Sequence, residues 1–388
     1  MTERFLPYGR QCIDDADIEA VTRVLKSDYL TSGPEIDAVE REFEAATGAN
    51  HAVACSNGTA ALHLALAGLG VGAGDICIVP TITFVATANA VRYCGGEVVF
   101  ADVDPATGLM TRATLADAMA RAGGPVRAIL PVHLGGQCCD MAAIADLARE
   151  SGAAIVEDSC HAIGTRRAGG QVGDGRFCDA ATFSFHPVKT IAAGEGGAIT
   201  TNDAELADRL RRLRSHGITR EASEFVGNAD EPWRQELHEL GWNYRLPDIN
   251  AALLRSQLSK LERFAARRRE LAAIYDRGFS RFDEHVQPVM RLPDQDPCWH
   301  LYVLRIDFEA LGTTRIAVMN ALRERGIGTQ VHYIPVHTQK YYDDQAPLAG
   351  AAEYYRTCLS IPLFVGMSDD EAHRVVRAVG DVTGLKAL

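Results

Sequence analysis

Short apolar segments alternate with longer amphipathic segments between about residues 50 and 200. The apolar segments are predicted strands at 51–56, 76–79, 97–101, 127–132, 153–157, 181–185 and 197–200. Predicted helices lie between them at 59–69, 84–93, 112–122 and 140–150. Segments that are apolar throughout are typical of strands covered on both faces. The alternation of strands and helices therefore predicts a mostly parallel sheet in a three-layer α/β sandwich.

The pattern changes near residue 250. Residues 250–282 predict one long amphipathic helix whose charges are concentrated at its centre. Beyond it we expect a strand at 302–307, a helix at 315–325, a strand at 328–333 and a final helix at 368–380. Two regions follow: residues 1–249, with an N-terminal segment and a large α/β domain, and residues 250–388, with a connecting helix and a smaller α+β domain. The length of 388 residues favours this division.

Composition and charge narrow the class of partner. The chain has 47% hydrophobic and 23% charged residues, as ordinary globular proteins do. Its net charge of −12 disfavours nucleic acid or an anionic membrane, which require a basic surface, but does not exclude an anionic small ligand. Because no long apolar run and no apolar signal core are present, we expect a cytoplasmic protein without a membrane span. The ten cysteines include no CxxC pair, so we expect free thiols and no metal site.

The turn after the first predicted strand, SNGT at Ser56–Thr59, is suited to an anion. A helix N-terminus offers unpaired N–H groups, and Gly58 allows a ligand to approach the backbone. Taken alone, the turn is explained as well by an ordinary polar helix cap. It contains no GxGxxG or Walker sequence, which disfavours a dinucleotide or ATP site.

Asp158 and Lys189 add two charges to the same domain. Asp158 ends a buried predicted strand, at the edge where open α/β sheets bind ligands, and it would either pair with a cationic ring nitrogen or cap a helix. Lys189 lies among small, apolar and hydroxyl residues in TFSFHPVKTIAAGEGG. Desolvation there would lower its pKa and make the amine nucleophilic, although a lone strand-end lysine often extends to solvent. Together, an anion cradle, a carboxylate and a desolvated amine are what pyridoxal 5'-phosphate (PLP) requires.

Motifs along nearly the whole chain resemble one family. They are YGRQ, LTSGP, SNGTAALHLAL, PTITFVATANAV, VEDSCHAIG, TFSFHPVK, GEGGAITTND, RSHGITR, LGWNYRLPDINAAL and QVHYIPV. The set is similar to the sugar-nucleotide aminotransferases of the DegT/DnrJ/EryC1/StrS family. The resemblance implies a fold-type I aminotransferase architecture, PLP as cofactor, glutamate as amino donor and a homodimer with shared active sites. It is strongest to members of pseudaminic acid biosynthesis, which act on a UDP-linked 4-keto-6-deoxy-N-acetylhexosamine.

The resemblance also implies roles for individual residues. Lys189 would be the catalytic residue, holding PLP as a Schiff base and moving a proton, while Asp158 would keep the pyridine nitrogen protonated. The implied cofactor-binding residues are Gly58, Thr59, Phe84, Asp158, His161, Ser184 and, from the partner subunit, Asn243. The implied substrate-binding residues are Tyr8, Asp28, Tyr29, Leu30, Thr31, Val331, His332 and Tyr333. From residue type alone, Arg10 and His332 could meet a diphosphate. His186 and the GEGG turn receive no role.

Several alternatives stay open. The same chemistry could act on a GDP- or dTDP-linked keto-sugar, at C3 or C4. A non-catalytic regulator could keep the fold and the cofactor, but the presence of Lys189, Asp158 and Ser184 together disfavours it. An NAD-dependent dehydrogenase would share the α/β alternation, but the glycine fingerprint after the first strand is missing.

Overall fold

The computed structural model describes residues 4–226 and 231–385. Its helices are α1 (Asp15–Leu25), α2 (Pro34–Thr47), α3 (Gly58–Gly68), α4 (Val85–Tyr93), α5 (Arg112–Arg121), α6 (Met141–Ser151), α7 (Ala204–Arg214), α8 (Asp248–Leu258), α9 (Leu261–Phe279), α10 (Arg315–Glu324), α11 (Ala349–Thr357) and α12 (Asp369–Thr383). Its strands are β1 (His51–Cys55), β2 (Ile76–Pro80), β3 (Glu97–Ala101), β4 (Val126–Ile129), β5 (Ala154–Asp158), β6 (Arg166–Arg167), β7 (Gly170–Gln171), β8 (Ala180–Ser184), β9 (Gly197–Thr201), β10 (Ile218–Thr219), β11 (Glu236–Leu237), β12 (Val286–Pro288), β13 (Gln295–Asp296), β14 (Tyr302–Ile306) and β15 (Cys358–Ile361).

The central sheet has seven strands in the order β1-β9-β8-β5-β4-β2-β3. Neighbouring strands from β8 to β3 are parallel, whereas β9 runs antiparallel to both β1 and β8. Helices α2 to α7 pack against these strands, so apolar side chains such as Val53 and Ile78 are fully buried. The predicted mostly parallel sheet with flanking helices is confirmed.

Strand direction brings distant parts of the chain to one edge of this sheet. Because β1 and β8 are both antiparallel to β9, they run in the same direction as β2, β4 and β5. The carboxyl ends of these strands therefore lie at one edge, together with the beginning of β9. Ligands bind at this edge in open α/β sheets.

A second, antiparallel sheet lies in the C-terminal region, where β14 pairs with β12 and β15. Helices α9 and α12 pack together beside it, and their apolar faces bury Leu271 and Val375. Leu6 joins the same cluster and pairs with Ile327, so the N-terminal segment contributes to this region. The α+β character expected here is present, and the boundary between residues 249 and 250 stays a prediction.

Two predictions about the C-terminal region are wrong. The single helix expected over 250–282 is two helices, α8 and α9, with Ser259 and Lys260 between them. Both residues keep backbone angles in the right-handed helical region, so the apolar periodicity continues and does not reveal the break. The strand expected at 328–333 forms only one bridge, between Gln330 and Ser360, because Gly328 instead donates to the Leu6 carbonyl.

Residues 4–30 contain the whole of helix α1 and the beginning of the turn that follows it. In residues 4–226 and 231–385, no helix has both the length and the apolar character needed to cross a membrane.

Candidate active site

The turn between β1 and α3 forms an anion cradle. Asn57 caps the helix: its side-chain oxygen accepts from the N–H of Ala60 at 2.8 Å. Among the described residues, none accepts from the N–H of Gly58 or Thr59. A Cβ on Gly58 would lie 2.7 Å from the Cβ of Ser184, so the absence of a side chain lets the helix N-terminus and the Ser184 hydroxyl face one space. Free N–H groups, the helix dipole and a hydroxyl together favour a phosphate.

Asp158 lies at the end of β5 and is 6% exposed. One carboxylate oxygen accepts from the Thr87 hydroxyl at 2.7 Å, and the other accepts from the N–H of Cys160 at 3.2 Å. The backbone is fixed as well, because Asp158 donates to the Pro131 carbonyl and accepts from the N–H of His133. This carboxylate is therefore held in one orientation while it faces the cavity described below.

Lys189 follows β8 in a loop that its own N–H closes onto the carbonyl of His186 at 2.9 Å. Burial lowers the pKa of the Lys189 amine, while Cys160 and Asp158 oppose that shift. No carboxylate of the described residues forms an ion pair with this amine. A lowered pKa increases the neutral fraction of the amine, which is the form that reacts with a carbonyl.

The glycine-rich turn 194–197 lies directly against the cradle. A Cβ on Gly197 would be 2.3 Å from the carbonyl oxygen of Asn57, so only glycine permits this approach. Asn250 donates to the carbonyls of Ala193 and Glu195 at 2.7 and 3.1 Å and fixes the other side of the turn. The turn therefore holds the segment after Lys189 against the anion cradle, which is the role that sequence alone did not assign.

One cavity of about 1050 Å³ joins these groups. The sequence-predicted residues that line it are Tyr8, Gly58, Thr59, Phe84, Asp158, His161, Ser184, Lys189, Val331, His332 and Tyr333. His186, which had no predicted role, also lines it. The volume suits a cofactor together with part of a larger substrate.

Aromatic rings form one wall of this cavity. Phe84 precedes α4 and is 57% exposed, with its ring 6.1 Å from that of Tyr333. Tyr8 lies 5.3 Å from the ring of His332. Burial lowers the pKa of His332 to about 3, with help from the charge of Lys189, and its Nδ1 lies 2.7 Å from the Ser360 hydroxyl. Any contact of His332 with a diphosphate would therefore come from a neutral ring.

Six predicted residues lie outside the cavity within this one chain, and one of them, Arg10, is exposed. The predicted substrate-binding residues Asp28 to Thr31 form an exposed turn after α1, where the Leu30 carbonyl accepts from the N–H of Asp248. Asn243 pairs with Ser215 in an isolated bridge. The prediction that Asn243 acts in the active site of a second subunit stays a prediction.

Sequence reasoning missed several cavity residues, and for two of them a signal was present. Thr87 lies one helical turn after Phe84 in ITFVATANA, so it faces the same side of α4 and reaches Asp158. Tyr244 directly follows the predicted Asn243 and lines the cavity itself. Gln330, Gln339 and Glu195 gave no signal that separates them from ordinary surface residues.

The groups that PLP needs all line this one cavity. The cradle at Gly58 would hold the phosphate, the Asp158 carboxylate would meet the ring nitrogen, and the Lys189 amine would meet the aldehyde carbon. The clearance at Gly58, which a single Cβ would fill, supports this fit. An α/β sheet with these three groups at its carboxyl edge defines a PLP-dependent enzyme of the aminotransferase class.

Comparison with known proteins gives the family. The chain belongs to the DegT/DnrJ/EryC1/StrS aminotransferase family, whose profile matches residues 11–380. It is 40% identical to the spore coat polysaccharide biosynthesis protein SpsC of Bacillus subtilis (strain 168), with 97% of each chain covered. The chain is therefore a PLP-dependent sugar aminotransferase, and the predictions of an enzyme and of this cofactor are confirmed.

Solved structures agree with this assignment. Helicobacter pylori PseC, an aminotransferase involved in the biosynthesis of pseudoaminic acid, superposes with a TM-score of 0.90 at 29% identity, over 98% of this chain and all of that one. The sugar aminotransferase Spr1654 from Streptococcus pneumoniae, in its PMP form, gives a TM-score of 0.88 at 26% identity over 98% and 99% of the two chains.

Proposed function

We propose that this enzyme transfers an amino group from glutamate to C4 of a UDP-linked 4-keto-6-deoxy-N-acetylhexosamine. The observation that carries this proposal is the likeness to PseC over almost the full length of both chains. It is supported by a cavity large enough for a cofactor and a sugar, with an aromatic wall at Tyr8, Phe84 and Tyr333.

The proposed mechanism assigns a task to each polar group of the site. Bound PLP supplies an electron sink for the negative charge that forms on the substrate carbon. Thr87 and Cys160 orient the carboxylate of Asp158, so that it can hold a proton on the ring nitrogen. Gly58, Thr59 and Ser184 bind the phosphate and fix the ring. Lys189 Nζ would take the proton from the α-carbon of the donor and deliver it to the carbon on the other side of the transferred nitrogen, acting first as base and then as acid.

The second half of the reaction uses the same groups in reverse. The keto-sugar enters after the donor's keto acid leaves, because one cavity serves both. Lys189 Nζ then moves a proton to the sugar carbon that receives the amine. We further propose that two subunits share each site, with Asn243 of the partner subunit reaching the phosphate. Kinetics of the ping-pong type are expected.

A second candidate substrate is a different nucleotide keto-sugar, and one observation favours it. The relative SpsC is more similar in sequence, at 40% identity, than PseC, at 29%, and SpsC acts in spore coat polysaccharide biosynthesis. A GDP- or dTDP-linked sugar, or amination at C3, would then replace the UDP-linked 4-keto sugar.

Mass spectrometry of the products from a substrate panel tests the proposal. The purified enzyme is incubated with glutamate and, in turn, UDP-, dTDP- and GDP-linked 3-keto and 4-keto sugars. We expect amination of the UDP-linked 4-keto-6-deoxy-N-acetylhexosamine at the highest rate, and no product with Lys189→Ala. Faster amination of another member of the panel would replace the proposed substrate, and turnover by Lys189→Ala would contradict the mechanism.

A further inference from the structure

A buried histidine beside the cavity has a defined proton position. The N–H of Gly135 donates to Nδ1 of His161 at 3.3 Å, and His161 is 6% exposed. A backbone N–H can only donate, so Nδ1 must carry a lone pair and the proton of the neutral ring lies on Nε2. Burial lowers the pKa of His161 well below its usual value, and the charge of Lys189 acts in the same direction. The ring is therefore a neutral donor at Nε2.

This donor meets the hydroxyl of Tyr333. His161 Nε2 lies 3.3 Å from the Tyr333 oxygen, and the two rings are stacked at 24° with centroids 6.2 Å apart. Since His161 donates, the Tyr333 oxygen accepts, and the hydrogen of its own hydroxyl must point elsewhere. Within the described part of the chain, no other hydrogen-bond partner of this hydroxyl is present. Burial raises the pKa of Tyr333, so the hydroxyl keeps its proton.

The surroundings of the pair support this direction of the hydrogen bond. The ring of His300 lies 4.3 Å from that of His161, and burial lowers its pKa well below the usual value, so no imidazolium lies next to His161. The backbone of His300 is fixed as well, because its main-chain N–H donates to the carbonyl of Gly135 at 2.9 Å. Gly135 therefore binds both histidines, one through its N–H and the other through its carbonyl.

We infer that the Tyr333 hydroxyl donates a hydrogen bond to an electron-rich oxygen of the molecule bound beside Lys189, and that His161 positions it for this. Tyr333, Lys189 and Asp158 line one cavity, so such an oxygen can lie within reach. Two oxygens have the required chemistry: the ring oxygen of the cofactor, and the keto oxygen that the sugar loses when it accepts the amine. In the second case Tyr333 would be a catalytic residue that donates a hydrogen bond to the departing oxygen, which leaves as water with the two hydrogens of the incoming amine. This inference rests on the PLP-dependent activity and deepens it.

The proton position of His161 is tested without any substrate. Nitrogen NMR of the holoenzyme labelled with ¹⁵N-histidine gives the protonation of each ring nitrogen, and the signal missing in His161→Gln identifies residue 161. We expect an unprotonated Nδ1 and a protonated Nε2. A protonated Nδ1, whether in the other tautomer or in a cation, would overturn the inference.

The acceptor oxygen is identified with Tyr333→Phe in two measurements. The first is the pH titration of the absorption band of lysine-bound PLP in the resting enzyme. The second is the single-turnover rate with whichever keto-sugar the panel identifies. A shifted titration assigns the bond to the cofactor oxygen, and a rate reduced about 10- to 100-fold with an unchanged titration assigns it to the keto oxygen. If neither changes, the inference is wrong.

Matched variants separate positioning from simple damage to the fold. Tyr354→Phe removes a buried hydroxyl that has no partner among the described residues and lies outside the cavity, so it should behave as the wild type. His161→Gln keeps an acceptor for Gly135 and a donor for Tyr333, whereas His161→Leu keeps neither. We expect His161→Leu to reproduce the defect of Tyr333→Phe and His161→Gln to restore most of the wild-type behaviour. Equal defects in both His161 variants would contradict a positioning role.

The NMR and resting-enzyme measurements need no sugar, so their failure is distinct from an error in the proposed substrate.

Discussion

Glu157 and Asp158 are consecutive carboxylates at the end of β5, yet their surroundings differ. Glu157 is fully buried and both of its oxygens are paired, with Nε2 of His133 at 3.1 Å and with Arg167 at 3.0 Å. The second amino group of Arg167 binds Asp174 at 3.1 Å, and we call this group of side chains the closed network because each Glu157 oxygen has a partner. Burial alone raises the pKa of Glu157, but the bond from His133 and the charge of Arg167 outweigh it and hold the pKa at about 2.

Asp158 instead faces the cavity with bonding capacity left over. It accepts one hydroxyl and one N–H, and a carboxylate can accept about four hydrogen bonds in all. Successive side chains of a strand point to opposite faces, which explains how neighbours reach such different places. The comparison teaches that a carboxylate whose oxygens are all paired within the protein stabilises the fold. A carboxylate that can still accept hydrogen bonds stays available to a ligand.

Asp158→Asn gives the largest expected effect. The amide keeps the shape and can still accept from Thr87 or Cys160, but it loses the charge that would hold a proton on the ring nitrogen. We expect turnover to fall roughly 10²- to 10³-fold, as when a preorganised electrostatic group is removed. Steady-state amination rates measure this, and urea unfolding of the same variant should change little. Turnover close to that of the wild type would show that Asp158 is not the ring partner.

Glu157→Gln should give the opposite result. Breaking a buried ion pair leaves Arg167 only partly compensated, so we expect a loss of about 3 kcal/mol in the free energy of unfolding. Turnover per folded molecule should be unchanged, because this side chain points away from the cavity. Urea unfolding followed by circular dichroism provides the measurement. Glu262→Gln is the control, because it breaks an exposed pair with Arg166 and should cost less than about 1 kcal/mol.

Acid should weaken the closed network selectively. The pKa of Glu157 is about 2 in the folded protein and 4.5 ordinarily, so its contribution is complete above pH 4.5 and is lost as pH falls toward 2. We expect the difference in unfolding free energy between wild type and Glu157→Gln to shrink by on the order of 2–3 kcal/mol across that window. Urea titrations at a series of pH values measure this difference. A difference that stays constant with pH would mean that Glu157 is not ionised in the fold.

The parts of the site that could be predicted from sequence are those fixed by strand ends. Gly58, Asp158 and Ser184 each lie at or just after the carboxyl end of a buried strand. Because those strands run in the same direction, their ends share one edge whatever the details of packing. The apolar segments therefore predict the sheet and also predict that these residues lie close together. The position of Lys189 at the same edge follows because it is near Ser184 in the sequence.

Contacts that depend on side-chain direction could not be predicted. The Tyr333–His161 contact joins residues 172 positions apart, and the break at Ser259 and Lys260 interrupts a helix without changing its periodicity. Lys260 instead pairs with Asp14 and Asp17 of the N-terminal segment, a contact between regions that no local pattern reports. The strand expected at 328–333 is missing because a residue far away in sequence intervenes, since the Gly328 N–H donates to the carbonyl of Leu6.

The carboxylate of Asp158 is oriented by a residue far away in sequence, since Thr87 lies 71 positions before it and donates to it. Thr87→Val keeps the shape and removes the hydroxyl that donates to Asp158 at 2.7 Å. We expect about a tenfold loss of turnover, since one hydrogen bond to a charged group contributes roughly 1.5 kcal/mol or more. Thr383→Val is the control, because its hydroxyl bonds the Val379 carbonyl within α12, away from the cavity. If Thr87→Val matched that control, Asp158 would be held by its strand alone, and the contrast with Glu157 would rest on exposure instead of on hydrogen-bond partners.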